Sequence, residues 1–519
     1  MRRLFGPCAV LIILGSVSSP GLAQSPSVPG PSNAQPPAPA TAQPQDQQKP
    51  PDQQPADPKA QPPAAKPTRP AETPGVRTGG LKLSDSVSVG GYGSVRYEKN
   101  NLDDPKPSGF DFRRFVLTTE ATPNDRLQAY IEIEFERLAE IEVERGVERF
   151  DDGVAVKQTL EGGDGGEISM EQMWGQYKFS DPFSVRFGLI LPPVGRFNIN
   201  HDDDRWDIPR RTLVDRNVPV LPVRSAWSEL GVGAQGGVDV GKTGRVTYQA
   251  YLVNGAILDF AVENKVETEV GQPGTLKLAG ELGLTRGPVN GEGGTRAGTW
   301  RVAYSPTLTA EIGISGYHGK YTPEFMDPVH ARLNVFGVDG LWKHGSLAVE
   351  GEYIHTDLGD TDRVVQAFID TVTGSTGRAP RAGAAGTETE FAFVNITPKR
   401  HGYWVEGRYR FWSEKWNDKF LGRDFENPGL SFVARYERAT LIDALDEVAI
   451  EGGDIDVADQ HTLSQERMTA GLAYRPIQSV VFSVAVEHNR RLQGPVLLFP
   501  RGRIAKSYTD VLVGMAFGF

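Results

Sequence analysis

The fold class that the sequence predicts is all-β: a transmembrane, antiparallel, up-and-down β-barrel preceded by a disordered Pro-rich segment. Three observations predict it. From Ser86 onward, short segments alternate apolar and polar residues with period two. Tight turns and long polar loops join these segments in alternation. The final segment keeps its alternation up to a terminal aromatic residue, Phe519.

The alternation is clearest in two places. Leu127, Ala129, Ile131, Ile133 and Phe135 share one face, while Gln128, Tyr130, Glu132, Glu134 and Glu136 share the other. Val511, Val513, Met515, Phe517 and Phe519 form an apolar stripe, with small residues dominating the opposite face. A barrel strand presents one face to lipid and the other to the lumen, so half of it is polar. A helical span needs about 20 consecutive apolar residues, and the sequence offers none beyond its N-terminus.

Period two predicts strands over 86–98, 110–122, 126–137, 168–179, 183–190, 228–240, 244–254, 298–305, 308–318, 333–343, 345–357, 402–412, 430–440, 467–475, 479–490 and 506–519, sixteen in all. Tight connections fall at Pro123-Asn124-Asp125, Ser180-Asp181-Pro182, Gly241-Lys242-Thr243, Ser305-Pro306-Thr307, His344-Gly345 and Arg475-Pro476-Ile477. Long loops lie near 138–166, 191–227, 255–297, 358–401 and 441–466. Bacterial barrels have short periplasmic turns and longer external loops. With a periplasmic N-terminus, every tight turn falls on the periplasmic side, and the last strand closes there against the first, near Val87–Tyr97. Two stretches resist this count. The 413–429 connection is long for a periplasmic turn, and 388–397 alternates weakly, which leaves eighteen strands as the alternative.

Residues 1–23 read as a signal peptide. Arg2 and Arg3 precede an apolar run from Ala9 to Val17, and Gly21-Leu22-Ala23 predicts cleavage after Ala23. The one cysteine, Cys8, lies inside this peptide and too early for a lipid anchor. The mature chain then has no thiol chemistry and no disulfide. Residues 24–80 are expected to be a Pro/Gln/Ala-rich periplasmic linker, with 16 prolines among the 55 residues of 24–78. Such a segment stays disordered with polyproline II character. It serves either as a solvated spacer or as a tether to peptidoglycan. Residues 81–519 form the barrel domain. Without the signal peptide, 53 Lys+Arg stand against 66 Asp+Glu, a net charge of -13, which argues against nucleic acid as a partner.

Several motifs occur in a particular order. Phe112-Arg113-Arg114 opens the second strand. Trp174-Gly175-Gln176-Tyr177-Lys178-Phe179 and Ser184-Val185-Arg186-Phe187-Gly188 flank a tight turn, followed by Leu191-Pro192-Pro193-Val194-Gly195-Arg196-Phe197. Trp227-Ser228-Glu229-Leu230-Gly231, Val253-Asn254-Gly255 and Gly351-Glu352-Tyr353 come after. On these motifs, roughly residues 86–519 resemble the phosphate-selective porins O and P. The resemblance implies a sixteen-stranded barrel, a long loop folded into the lumen and a homotrimer. The lysine and arginine ladders of phosphate-selective members have no residue-by-residue match here, so the resemblance does not fix the solute.

In a pore, inward-facing charges at the narrow section set ion selectivity. Alternation assigns to the lumen Arg114, Glu120, Glu132, Glu134, Glu136, Gln176, Lys178, Arg186, Glu350, Glu352, Glu406, Arg408, Arg410, Arg435 and Glu437. The loop 191–227 is the expected constriction. It carries Arg196, Arg205, Arg210, Arg211, Arg216 and Arg224 against five aspartates, a net charge of +1. Arginine forks suit oxyanions, and a nearly balanced loop also suits internal salt bridges.

His201-Asp202-Asp203-Asp204 offers hard oxygen ligands for a divalent cation, but reads more simply as a hydrated acidic loop. Gly162–Glu167 and Glu451–Asp459 lack the spacing of a calcium loop. Neither His-Glu-x-x-His nor Gly-x-Ser-x-Gly occurs, and the eight histidines are scattered. No catalytic activity, cofactor or metal is expected.

The sequence therefore reads as a passive, water-filled porin in the outer membrane of a Gram-negative bacterium, for small hydrophilic solutes, either a general diffusion pore or one with a mild preference for phosphate-type oxyanions. Expected partners are outer-membrane lipid, lipopolysaccharide, two further copies in a homotrimer, and the outer-membrane assembly machinery, for which Phe519 is the signal. The alternative is a structural barrel tethered to the cell wall through its Pro-rich arm.

Overall fold

The structure, a computed structural model, describes residues 10–11, 80–101, 109–137, 141–150, 153–162, 167–217, 220–223, 226–267, 275–290, 294–326, 329–373, 387–394, 396–419, 421–444, 447–451, 454–457, 461–493 and 506–519. The rest of the expected signal peptide and linker, including Cys8, lies outside the described residues, as does Arg224.

Sixteen antiparallel strands close into one barrel. In chain order they are β1 (Val87–Asn100), β2 (Gly109–Asn124), β3 (Leu127–Glu136), β4 (Glu167–Ser180), β5 (Phe183–Ile190), β6 (Glu229–Val240), β7 (Gly244–Val253) and β8 (Ala297–Thr307). They continue with β9 (Ala310–Lys320), β10 (Arg332–His344), β11 (Leu347–Leu358), β12 (Lys399–Phe411), β13 (Gly429–Ala444), β14 (His461–Arg475), β15 (Val480–Gln493) and β16 (Ser507–Gly518). Each predicted strand falls on one of them. A short strand, Leu81–Ser84, folds back on the start of β1.

The barrel closes where the alternation predicts. β16 pairs with β1, with Val513 opposite Tyr97 and Phe517 opposite Gly93. The ladder runs to the last residue: Phe519 N donates to Gly91 O at 3.0 Å, and Gly91 N to Phe519 O at 3.2 Å. On β16, Val511, Val513, Met515 and Phe517 are exposed, whereas Tyr508, Asp510, Leu512 and Ala516 are buried.

The same inversion holds around the wall. Outward positions carry exposed apolar side chains such as Leu252, Phe187 and Ile312, while inward positions bury Arg114, Glu132, Arg301 and Glu487. Water would not tolerate such an outside, and an apolar phase demands that every backbone donor and acceptor be paired within the wall, which closure achieves. The fold and surface therefore define a transmembrane β-barrel.

The tight turns share one rim. At the β2–β3 turn, Asn124 Oδ1 accepts from Arg126 N (2.9 Å) and Leu127 N (3.0 Å), a side chain closing its own turn. The long 413–429 connection belongs to this rim too. It packs back on the wall: Arg410 donates to Asn427 O at 2.8 Å, Trp412 Nε1 to Asn417 Oδ1 at 2.8 Å, and the Tyr474 hydroxyl to Leu421 O.

The eighteen-strand alternative is overturned. Thr387–Val394 is a strand, but it pairs with Thr275–Thr285 in parallel and with Glu447–Glu451, not with the wall. With Ile257–Glu267 and Asp454–Val457 these form a five-stranded sheet drawn from three long loops. The loop between β11 and β12 also holds a helix, Thr361–Thr373, which buries Val364, Val365 and Phe368 on one face. The described residues Val10–Leu11, Gly153–Gly162 and Ile141–Phe150 form a separate three-stranded sheet.

Candidate functional site

The loop between β5 and β6 crosses the barrel interior. It leaves β5 through Pro192 and Pro193 and turns at Gly195, whose φ of 74° favours glycine. A Cβ there would lie 3.1 Å from Glu352 Oε2. Gly195 N donates to Ser315 Oγ of β9 at 3.3 Å. The short turn Arg196–Ile199 then docks on β11: Phe197 N donates to Glu352 Oε2 at 2.9 Å, and Arg196 Nε to Glu350 Oε2 at 2.9 Å. Arg196 also meets Glu311 of β9 at 3.3 Å.

The middle of the loop reaches the other side of the barrel. Asp203 accepts from Ser94 Oγ of β1 at 2.6 Å and pairs with Arg114 Nε of β2 at 3.2 Å. Arg210 sits among Glu98 (3.0 Å), Glu487 (3.2 Å) and Asp510 (3.1 Å), on β1, β15 and β16. In a closed barrel of sixteen strands, β1 and β9 are half the circumference apart, so the loop is a bar across the lumen.

Wall side chains also hold the loop's backbone. Arg435 Nη1 donates to Arg210 O at 3.0 Å, and Arg467 Nη2 to Arg211 O at 2.5 Å. Arg475 Nη1 donates to Asp204 O at 2.9 Å, and its Nε to the Asp207 side chain at 2.7 Å. Leu213 N donates to Glu437 Oε1 at 3.0 Å, and Thr356 Oγ1 to Val220 O at 2.5 Å. Apolar packing adds to this. Phe197 stacks on Trp206 at 4.7 Å, and Trp206 meets the edge of Trp404 of β12 at 5.5 Å.

The loop's charges are fixed by these contacts. Burial opposes charge on Arg210, but its three carboxylates outweigh that and raise its pKa. Burial likewise opposes charge on Asp203, yet the Arg114 and Arg211 guanidiniums hold its carboxyl well below the usual range. For His201 burial is outweighed by the adjacent Glu171 carboxylate, and the imidazole is pushed up to about 9.

Most residues assigned by alternation do face inward, and most are paired. Arg114 meets Glu134 at 2.6 Å and Glu136 at 3.8 Å. Arg435 meets Glu406 at 2.6 Å. Arg408 meets Glu350 and, at 3.4 Å, Glu406. Glu132 accepts from Gln172 Nε2 at 2.6 Å, and Glu120 from Gln128 Nε2 at 2.8 Å. Glu437 pairs with Arg467. Arg186 differs: its donors go to the neutral Gln176 Oε1 at 2.9 and 3.1 Å, and its guanidinium lies 3.7 Å from the Trp174 ring centroid.

Other assigned residues stand apart. Lys178 pairs with Asp181 in the β4–β5 turn at 2.6 Å, and Arg410 is held by the 413–429 connection, so both sit at the tight-turn rim. Arg205 pairs within the loop with Asp202 at 3.0 Å. Arg211 meets Asp203 and Asp215 of the same loop, at 3.6 and 3.7 Å. Arg216 lies in the helical turn Leu213–Asn217.

Several interior residues escape the sequence assignment. Glu171 is the clearest. A bulge sets Ile133 against Met170 and Glu132 against Gln172, so one residue of β4 is left over and both Glu171 and Gln172 are buried. Strict alternation would have turned Glu171 outward. By contrast, Glu98, Arg301, Asp339, Arg467, Glu487 and Asp510 follow the period-two rule, and that rule carried into their strands would have found them.

No family model matches the chain. An uncharacterized protein of Aquifex aeolicus is 30% identical over 175 residues, which are 34% of this chain and 33% of that protein. The chain thus spans about a third of the length of the curated relative it matches. Among solved structures, the chain is similar to Salmonella typhi OmpF in complex with daunomycin (12% identity, 83% of this chain and 97% of that one, TM-score 0.45). It is also similar to the anion-selective porin from Comamonas acidovorans (11%, 84% and 99%, TM-score 0.43) and to the outer membrane channel DcaP of Acinetobacter baumannii (10%, 85% and 100%, TM-score 0.35). At this level of similarity the class rests on the barrel itself.

Proposed function

We propose that this chain is an outer-membrane porin of a Gram-negative bacterium, a passive channel for small hydrophilic solutes in which residues 191–227 form the constriction. The observation that carries this reading is the loop bonded to both β1 and β9 inside a closed barrel. A bar anchored at both ends narrows a lumen without sealing it, and its polar surface suits hydrated solutes. The resemblance to phosphate-selective porins O and P belongs to this reading. So do the homotrimer, contacts with lipid and lipopolysaccharide, assembly signalled by Phe519, and a periplasmic place for residues 24–80.

The loop arginines are not free to attract anions, because Arg210 and Arg211 face carboxylates. A mild anion preference rests instead on Arg186, an interior guanidinium held by the neutral Gln176 and the Trp174 ring. The test is reversal potential in a salt gradient across planar bilayers. The reading expects a small anion-side potential that shrinks in R186Q. A cation-side potential overturns the anion preference, and absence of conductance from folded protein overturns the channel.

The 16 prolines of residues 24–78 favour a second role, a tether to peptidoglycan. Deleting them should abolish co-sedimentation with peptidoglycan while the barrel still inserts; unchanged co-sedimentation leaves the segment a spacer.

A further inference from the structure

Glu132 of β3, Glu171 of β4 and His201 of the loop meet inside the barrel. All three are buried, and one ligand atom from each lies within 4.8 Å of the others. His201 Nδ1 is 2.8 Å from Asn198 O. A carbonyl only accepts, so Nδ1 donates to it, and Nε2 faces Glu171 Oε2 at 3.2 Å, where a metal ion would take the place of its proton. Proteins orient metal-binding imidazoles through the same kind of backbone contact on the far nitrogen.

The neighbouring charges are already committed. Glu134 pairs with Arg114 at 2.6 Å and Asp202 with Arg205 at 3.0 Å. The partners of Glu132 are neutral, Gln172 Nε2 at 2.6 Å and the Tyr130 hydroxyl at 3.4 Å. Glu171 Oε1 is buried and meets no nitrogen donor among the described residues, with the Glu134 carboxyl beside it. Two buried carboxylates thus face one imidazole, and among the described residues no arginine or lysine forms an ion pair with either. A protonated His201 offsets only one of the two, and leaving the other uncompensated in the interior is costly; a bound divalent cation compensates both at once.

We propose that Glu132, Glu171 and His201 bind a divalent transition-metal ion of the zinc or manganese type. One imidazole nitrogen with two carboxylate oxygens suits these ions better than calcium or magnesium, which favour oxygen throughout. Zinc holds such ligands at about 2.0–2.2 Å, so small side-chain rotations close the present spread, with water completing the shell. The ion ties the loop to the β3–β4 wall, beside the Arg114 bridge from Asp203 to Glu134. The run Asp202-Asp203-Asp204 is not itself the site, since Asp202 and Asp203 face arginines. The proposal rests on the loop lying inside the barrel, not on what the barrel conducts.

The test uses tag-free, full-length protein folded in detergent and stripped with EDTA, titrated calorimetrically with Zn2+ and, for comparison, Mg2+. We expect one saturable Zn2+ site per chain, none for Mg2+, and binding at least about 10-fold weaker in H201Q and E171Q. His355 and His401 face each other across β11 and β12, so H355Q/H401Q is the control and should retain the site. Co2+ added to the wild type reads coordination by its d–d absorption without any variant, should one fail to fold. Absence of saturable Zn2+ binding and of Co2+ bands overturns the proposal, leaving an imidazolium–carboxylate pair only. Binding unchanged in H201Q, or lost only in H355Q/H401Q, also overturns it. Metal binding by a barrel that does not conduct would refute the channel reading while leaving this site intact.

Discussion

Arg210, in the middle of the loop, lies 3.1 Å from Asp510 on the last strand, 300 positions away in the chain. The contact joins the loop to the seam where the barrel closes, because β16 pairs with β1 and Glu98 of β1 shares the same guanidinium. Removing this arginine takes one guanidinium from three carboxylates at once, with Glu98 keeping Arg96 at 3.3 Å and Glu487 keeping Arg467 at 3.6 Å. Breaking a buried pair by deleting one partner costs about 3–5 kcal/mol. R210A should therefore lower the urea midpoint of the folded barrel and raise its conductance as the loop loosens. An unchanged midpoint would show that Arg210 carries little of the docking.

Gly195 makes a milder prediction. Its φ of 74° and the 3.1 Å separation from Glu352 Oε2 leave no comfortable place for a methyl group. G195A should cost roughly 1–3 kcal/mol, because φ 74° with ψ 148° is a backbone region essentially confined to glycine, with Glu352 pushed from Phe197 N. Unfolding in urea reads the cost. A neutral or stabilising result would mean that the loop entry relaxes freely.

Phe519 stacks on Phe115 at 6.1 Å and completes the ladder with Gly91 through its backbone. Its ring lies on the outside of the wall, away from the loop. F519A should lower the yield of inserted barrel and leave the selectivity of each inserted channel unchanged. Altered selectivity in normally assembled protein would overturn the proposal that Phe519 is an assembly signal.

The barrel was legible because its physics is local. Each strand must alternate to face two solvents, and each reversal needs turn residues such as Asn124, so the sixteen segments stand out one by one. What sequence alone could not supply was pairing between distant segments. Residues 387–394 alternate as a wall strand would, yet their partners are loop strands far along the chain. The loop arginines were visible as charges, but whether Arg210 met solute or Asp510 depended on three-dimensional closure. Glu171 was hidden by a one-residue bulge that inverts facing. His201 was noticed beside its sequence neighbours, while the carboxylates that face it come from β3 and β4.

Single-channel conductance in planar bilayers tests the central claim most directly, comparing the wild type with a variant in which residues 196–216 are replaced by a short Gly-Ser linker. A bar across the lumen predicts a small, ohmic wild-type conductance that rises several-fold without the loop. Equal conductance from both proteins, or none from either when heat-modifiable migration shows them folded, would contradict the account.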